Sequence, residues 1–231
     1  MGSEVAMTWR EWFEQALAKY PTPWKYLFEC HEYMKPVLHA ARRHAPPPAF
    51  LWEAGCGIGM TAMLFVAEGY FVDGIDQDED VLSIAGGMPW FYPFYIADKK
   101  RAVYTSTGDF VTLKLGDCLT LHRPPFDVAF SGGVIEHVDS ETRIAMLKTL
   151  KANSHVQIVV IPSPLQLLCC SEKVSMGEQP ISLADLVSAC REAGWTVVES
   201  FGFGAPAAGT DPHQDMDPWM SLCVVGKTPG G

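Results

Sequence analysis

The sequence predicts an α/β fold, a mostly parallel sheet with helices on both faces, preceded by an N-terminal helical segment. Three observations carry this. Beyond Pro46-Pro47-Pro48, short apolar runs alternate with helical stretches, the pattern of a sheet fed by crossover helices. Ahead of that proline triplet, apolar residues recur every three to four positions, which marks helices. A glycine-rich turn joins the first apolar run to the stretch behind it, where a backbone-bound ligand is expected. The 231 residues are 48% hydrophobic and 19% charged, enough for a sizeable core.

The elements follow in order. Trp9, Trp12, Phe13, Ala16 and Leu17 share a helix face, and Thr8 with Glu11 has the spacing of a capping box. Tyr20-Pro21-Thr22-Pro23 interrupts that helix, and a second spans roughly Trp24 to Arg43. Residues 1–48 are thus a helical cap, and residues 49–231 form a core domain. Strands are expected at Ala49–Ala54, Tyr70–Ile75, Phe110–Leu115, Phe126–Ser131, His155–Ile161, Trp195–Phe201 and Met220–Gly226. Helices are expected at Gly59–Gly69, Asp78–Ala85, Ser140–Ala152 and Ser182–Ala193, the last capped by Ser182 and closed by Gly194. No clear helix separates the last two strands, so they should pair antiparallel.

The chemistry concentrates in Glu53-Ala54-Gly55-Cys56-Gly57-Ile58-Gly59. The glycines let the chain turn tightly, and the next helix aims its amino end at whatever binds there. Asp76 closes the second strand about 20 residues on, where a carboxylate binds ribose hydroxyls, with Gln77 beside it. A dinucleotide-binding fold shares these parts, but its glycines fall as G-x-G-x-x-G. Here they fall as G-x-G-x-G, with an acid two residues ahead of the first. Glu53 would repel a pyrophosphate and attract an ammonium, which disfavours an NAD-type oxidoreductase.

From about Phe50 to Lys227 the chain resembles the class I S-adenosylmethionine (SAM)-dependent methyltransferases. Glu53–Gly59 matches their first motif and Asp76 their ribose acid. Asp117 resembles the acid near the adenine amino group, with Cys118 supplying the neighbouring amide. Phe126–Ser131 resembles their fourth-strand motif, and Gly132–Val138 the segment after it in small-molecule methyltransferases, including the quinone-biosynthesis type. The resemblance implies a Rossmann-like seven-stranded sheet of order 3-2-1-4-5-7-6, with the last strand antiparallel. It implies SAM as cofactor, held by Glu53, Gly55, Cys56, Gly57, Gly59, Asp76, Gln77, Asp117, Cys118, Ser131 and Gly132. Gly55 and Gly57 would contact its methionine part, and Ser131 or Gly132 would lie toward the sulfonium. The function implied is methyl transfer to a small-molecule acceptor by in-line displacement. A protein-directed methyltransferase and a non-catalytic SAM-binding protein are the alternatives within the same fold.

Ligands of an open parallel sheet sit beyond the carboxyl ends of its strands. That rule assigns the acceptor side to Gly132–Asp139, Pro162–Gln179 and Gly202–Trp219, with Trp9, Trp12, Phe13, Tyr20, Trp24 and Tyr26 of the cap closing over them. His137 is the first candidate general base, its imidazole suited to a hydroxyl or thiol acceptor near pH 7. Glu136 either binds the acceptor or favours a helix start. Asp211, His213, Asp215 and Asp217 have metal-ligand chemistry. However, Ser131-Gly132-Gly133 stands where metal-dependent catechol methyltransferases carry an aspartate, so no metal is expected. The aromatic run Met88–Tyr95 lines either a pocket, the core or an interface.

The formal net charge of -10 disfavours a nucleic-acid partner. Arg42-Arg43-His44 and Lys99-Lys100-Arg101 are the short basic clusters, expected as solvated surface patches. Pro124-Pro125-Phe126 precedes the fourth strand, whereas the proline pair of amino-methylating nucleic-acid enzymes follows it. Seven cysteines, irregularly spaced and without C-x-x-C, argue for a reducing compartment and against a disulfide framework; Cys169-Cys170 reads as two ordinary thiols. No apolar run approaches a membrane span. The expectation is a cytoplasmic monomer or homodimer acting on a small molecule, with no membrane partner.

Overall fold

The computed structural model describes residues 7–88, 111–120, 125–169, 177–205 and 219–228. Helix α1 (Trp9–Ala18) starts at the expected capping box: the Glu11 amide donates to Thr8 Oγ1 at 3.2 Å, and the Thr8 amide to Glu11 Oε2 at 2.8 Å. Helix α2 (Pro23–His44) is capped by Thr22, with Pro23 at the first position, where its missing N–H costs nothing. Its basic end is more than the solvated patch the sequence suggests. Arg43 and His44 both pair with Glu199, and Arg42 reaches Glu68 at 3.0 Å, which ties α2 to the rest of the chain.

Beyond α2 the chain runs β1 (Phe50–Ala54), α3 (Met60–Ala67), β2 (Phe71–Asp76), α4 (Glu79–Gly86), β3 (Val111–Leu115) and β4 (Phe126–Gly132). A 3-10 turn over Ile135–His137 leads to α5 (Ser140–Ala152), β5 (Ser154–Pro162), α6 (Pro164–Cys169), α7 (Leu183–Glu192), β6 (Thr196–Phe203) and β7 (Ser221–Lys227). The strands form one sheet of order β3-β2-β1-β4-β5-β7-β6, as expected. Strands β1 to β5 pair in parallel, and β7 lies antiparallel to both β5 and β6.

Alternating residues of each central strand feed two cores. Leu51, Val128, Phe130, Ile158 and Val225 pack with Val37 and Leu38 of α2, Leu64 and Phe65 of α3, and Val81 of α4. Trp52, Ala129, Val159 and Val224 pack with Leu147 of α5 and Leu186 and Cys190 of α7. Strands buried on both faces need near-continuous apolar sequence, which is why these runs read so clearly. Each fully buried side chain of the size of Leu38 or Phe65 contributes about 1.5–3 kcal/mol.

Helix α6 has no counterpart in the sequence expectations. Ser163 Oγ accepts the Gln166 amide at 3.1 Å and Pro164 takes the first position, so a cap and a proline start it. It is only six residues long, too short to show periodicity. Cys30, Cys56, Cys118, Cys190 and Cys223 are free thiols. Among the described residues no helix is long and apolar enough to cross a membrane. The run after Met88, Lys99–Arg101, Cys170 and Asp211–Asp217 lie outside the described residues.

Candidate cofactor and acceptor site

The turn after β1 requires its glycines. Gly55 sits at φ +76° and Gly57 at φ +52°, left-handed conformations that disfavour a side chain. A Cβ on Gly55 would lie 2.3 Å from Val134 Cγ2, and one on Gly57 2.9 Å from Phe13 Cζ. The Gly55 and Cys56 amides both donate to Ile75 O, at 2.8 and 3.0 Å, which pins the turn against the end of β2. The Gly57 amide donates to Asp76 Oδ2 at 2.8 Å, and the Asp78 amide to Asp76 Oδ1 at 2.9 Å. Asp76 therefore couples the two loops, and its carboxylate, with about four acceptor sites, retains capacity for a ligand. Burial pushes its carboxyl up from its ordinary value, against the pull of these amides.

Glu53 stands beneath this turn, 2% exposed. The Ala62 amide at the start of α3 donates to it, while Oε2 has no hydrogen-bond partner. Burial, with the Asp76 charge adding to it, holds the carboxyl well above its ordinary range. A carboxylate buried this way calls for a proton or a cation. At the end of β3, Asp117 Oδ1 accepts the Leu119 amide at 2.8 Å, and burial pushes the Cys118 thiol up to about 11.

One cavity of about 1140 Å³ follows the carboxyl ends of the parallel strands. It brings together Glu53, Gly55, Cys56, Gly57, Asp76, Gln77, Asp117, Cys118, Gly132, Glu136 and His137. Two expected residues do not line it. Gly59 is the buried N-cap of α3 at φ +72°, and Ser131 is fully buried within β4. Of the cap aromatics, Trp9, Trp12, Phe13 and Tyr26 reach the cavity. Tyr20 packs on Tyr26 with ring centroids 4.9 Å apart, and Trp24 is exposed. Among the described residues no three His, Cys, Asp or Glu side chains form a metal-binding group.

The far wall is the 3-10 turn. Arg143 holds it by donating from Nε to Ile135 O at 3.0 Å and from Nη2 to Val138 O at 3.1 Å and Gln179 Oε1 at 3.0 Å. His137 meets the Trp9 ring edge-on, with centroids 4.8 Å apart, so α1 and the turn close on each other. Glu136 is 1% exposed, and Oε2 lacks a partner among the described residues. Burial pushes its carboxyl up to about 8; Glu178 adds to the rise, while its own backbone amide and Arg143 oppose it. Gln166 and Glu178, within the expected Pro162–Gln179 stretch, complete the wall with Ser221, which the sequence reading did not name and whose Oγ lies 2.6 Å from Tyr33 Oη. Ser221 was findable, because the start of an antiparallel β7 must lie at the carboxyl ends of its neighbours.

Neither a family model nor a curated protein matches the sequence. Solved structures do match. Magnesium protoporphyrin IX methyltransferase from Synechocystis, with bound S-adenosylhomocysteine (SAH), has a TM-score of 0.61 at 15% identity over 85% of this chain and 82% of that one. A chain from the complex between the Haloferax volcanii Trm112 methyltransferase activator and its methyltransferase has a TM-score of 0.62 at 16% identity, over 98% and 100%. A SAM-dependent methyltransferase from Archaeoglobus fulgidus has 0.58 at 16% identity, over 88% and 99%. Together with the observed strand order, these likenesses establish that the chain has the seven-stranded Rossmann-like fold of the SAM-dependent methyltransferases.

Proposed function

We propose that this protein is an enzyme that binds SAM and transfers its methyl group to a small-molecule acceptor. The observation that carries the reading is Glu53, a buried carboxylate with an unpartnered oxygen beneath a left-handed glycine turn. It fits an amino-acid ammonium and would oppose a phosphate. Asp76 keeps lone pairs for ribose hydroxyls, and the Asp117–Cys118 corner stands where an adenine ring would rest. When bound, SAM supplies an electrophilic methyl group and its own leaving group.

The chain's part is then to position and to exclude water. Trp9, Trp12 and Phe13 of α1 line the cavity with the Gly132–His137 segment, and their rings would help shed water from it. Glu136 and His137 stand 3.7 Å apart (Oε1 to Nε2), and we assign them to bind the acceptor and take its proton. A cavity lined partly by aromatic rings supports a small acceptor over a protein side chain. We read the working unit as a cytoplasmic monomer or homodimer with no nucleic-acid or membrane partner. Calorimetric titration with SAM, SAH and NADH tests the cofactor. We expect saturable binding of the two adenosyl ligands and none of NADH; binding of NADH alone would overturn the reading of Glu53.

A further inference from the structure

We infer that the acceptor carries a basic nitrogen and docks as a small ammonium on Glu136, an inference that rests on the methyltransferase reading above. Glu136 follows β4, whereas Glu53 lies on β1, so the two buried acids belong to different strands of the cavity. Glu53 stands by the glycine turn and serves the cofactor end, leaving Glu136 without a cofactor group to meet. Its Oε1 would lie 3.9 Å from a Cβ built on exposed Gly133, which places the carboxyl beside the open floor of the cavity. Oε2 has no partner among the described residues although the residue is 1% exposed. A buried carboxylate in that state is costly until a proton or a cation meets it.

Among the described residues no lysine or arginine supplies that cation, and His137, with Nε2 3.7 Å from Oε1, does so only when protonated. Arg143 is the cationic group whose charge reaches Glu136, and its guanidinium is engaged by Ile135 O, Val138 O and Gln179 Oε1. Neither lysine nor arginine lines the described cavity, and Glu178 adds a second acid to the same wall. An anionic acceptor would meet acids with no lysine or arginine among the described residues to hold it. A neutral alcohol brings no cation, so it would meet Glu136 in its protonated form. An ammonium satisfies both acids and also finds the rings of Trp9 and Trp12, whose faces attract cations.

The balance is simple. The ammonium gives one proton to the Glu136 carboxylate. The freed nitrogen lone pair forms the new N–C bond, and the electron pair of the donor's S–C bond returns to sulfur. The proton on Glu136 passes to solvent after the N-methylated product leaves.

The test is binding calorimetry on the full chain loaded with SAH, with phenethylamine, 2-phenylethanol and phenylacetate as shape-matched probes. The amine should bind about tenfold or more tighter than the alcohol, and phenylacetate weakest. Glu136→Gln should take up SAH as the wild type does and lose about tenfold or more in amine affinity, while Glu136→Asp should retain a preference for the amine. SAH uptake with no amine preference would overturn this inference alone, as would unchanged amine binding in Glu136→Gln. If Glu136→Gln does not fold, the wild-type ranking of the three probes decides. Failure of the wild type to bind SAH would overturn the cofactor reading and this inference with it.

Discussion

Asp76 shows how much one carboxylate carries at this site. It ends β2, accepts the Gly57 and Asp78 amides, and still offers lone pairs to the cavity. Asp76→Ala removes the ligand contacts and also releases both loops, so SAH affinity should fall by about 10- to 100-fold, equivalent to about 1.4–2.8 kcal/mol. Calorimetry on a variant with native circular dichroism measures this, and unchanged affinity would exclude the role. Glu136 makes a different prediction, because its carboxyl rises from an ordinary 4.5 to about 8 under burial and the Glu178 charge, despite Arg143 and with His137 adjacent. Between those two values the folded state keeps a proton that the unfolded state has released. This contribution to stability is therefore present at low pH and is lost as pH climbs to about 8. Glu136→Gln removes the cost of the buried charge, so its melting temperature should exceed that of the wild type at pH 9, by on the order of 5 °C, and differ little at pH 4. An equal difference at both pH values would show that Glu136 does not titrate in the fold.

Elements were legible where one physical rule dominates. Strands buried on both faces wrote themselves as apolar runs, Thr8 with Glu11 announced a helix start by spacing, and Ser182 announced another as a cap. Helix α6 escaped because six residues carry no period, although Ser163-Pro164 was a start signal. The cofactor wall was legible for the same reason as the strands, since a left-handed turn demands glycine at fixed positions. The acceptor wall was legible only as segments: Gln166 and Glu178 fall within the expected Pro162–Gln179 stretch, which does not single them out, and Ser221 joins them through the antiparallel pairing of β7. Gly55 tests the turn as an element. In Gly55→Ala the new methyl would lie 2.3 Å from Val134 Cγ2, at φ +76°. Relieving the overlap moves the turn off Ile75 or pushes Val134 toward the cavity. Stability should fall by about 1–3 kcal/mol, and SAH binding should weaken with it. Urea unfolding and calorimetry together check this, and a variant with wild-type stability and affinity would mean that the turn is not held as described.

At the scale of the whole molecule, charge unites the fold and the site. The chain carries a formal net charge of -10, and Glu53, Asp76, Asp117, Glu136 and Glu178 all face one cavity that no lysine or arginine lines among the described residues. SAM differs from SAH by a methyl group and one positive charge on sulfur, so the acidic field should favour SAM. Part of that preference is long-range and therefore open to screening, because the Debye length shrinks from about 10 Å at 0.1 M salt to about 3 Å at 1 M. Contacts from Glu53 and Asp76 at the buried end are screened far less. Raising sodium chloride from 0.05 to 1 M should therefore weaken SAM about two- to fivefold and SAH much less, as read by parallel titrations. If both ligands lose affinity equally, the acids act only through direct contacts, and the net charge of the chain has no part in choosing between donor and product.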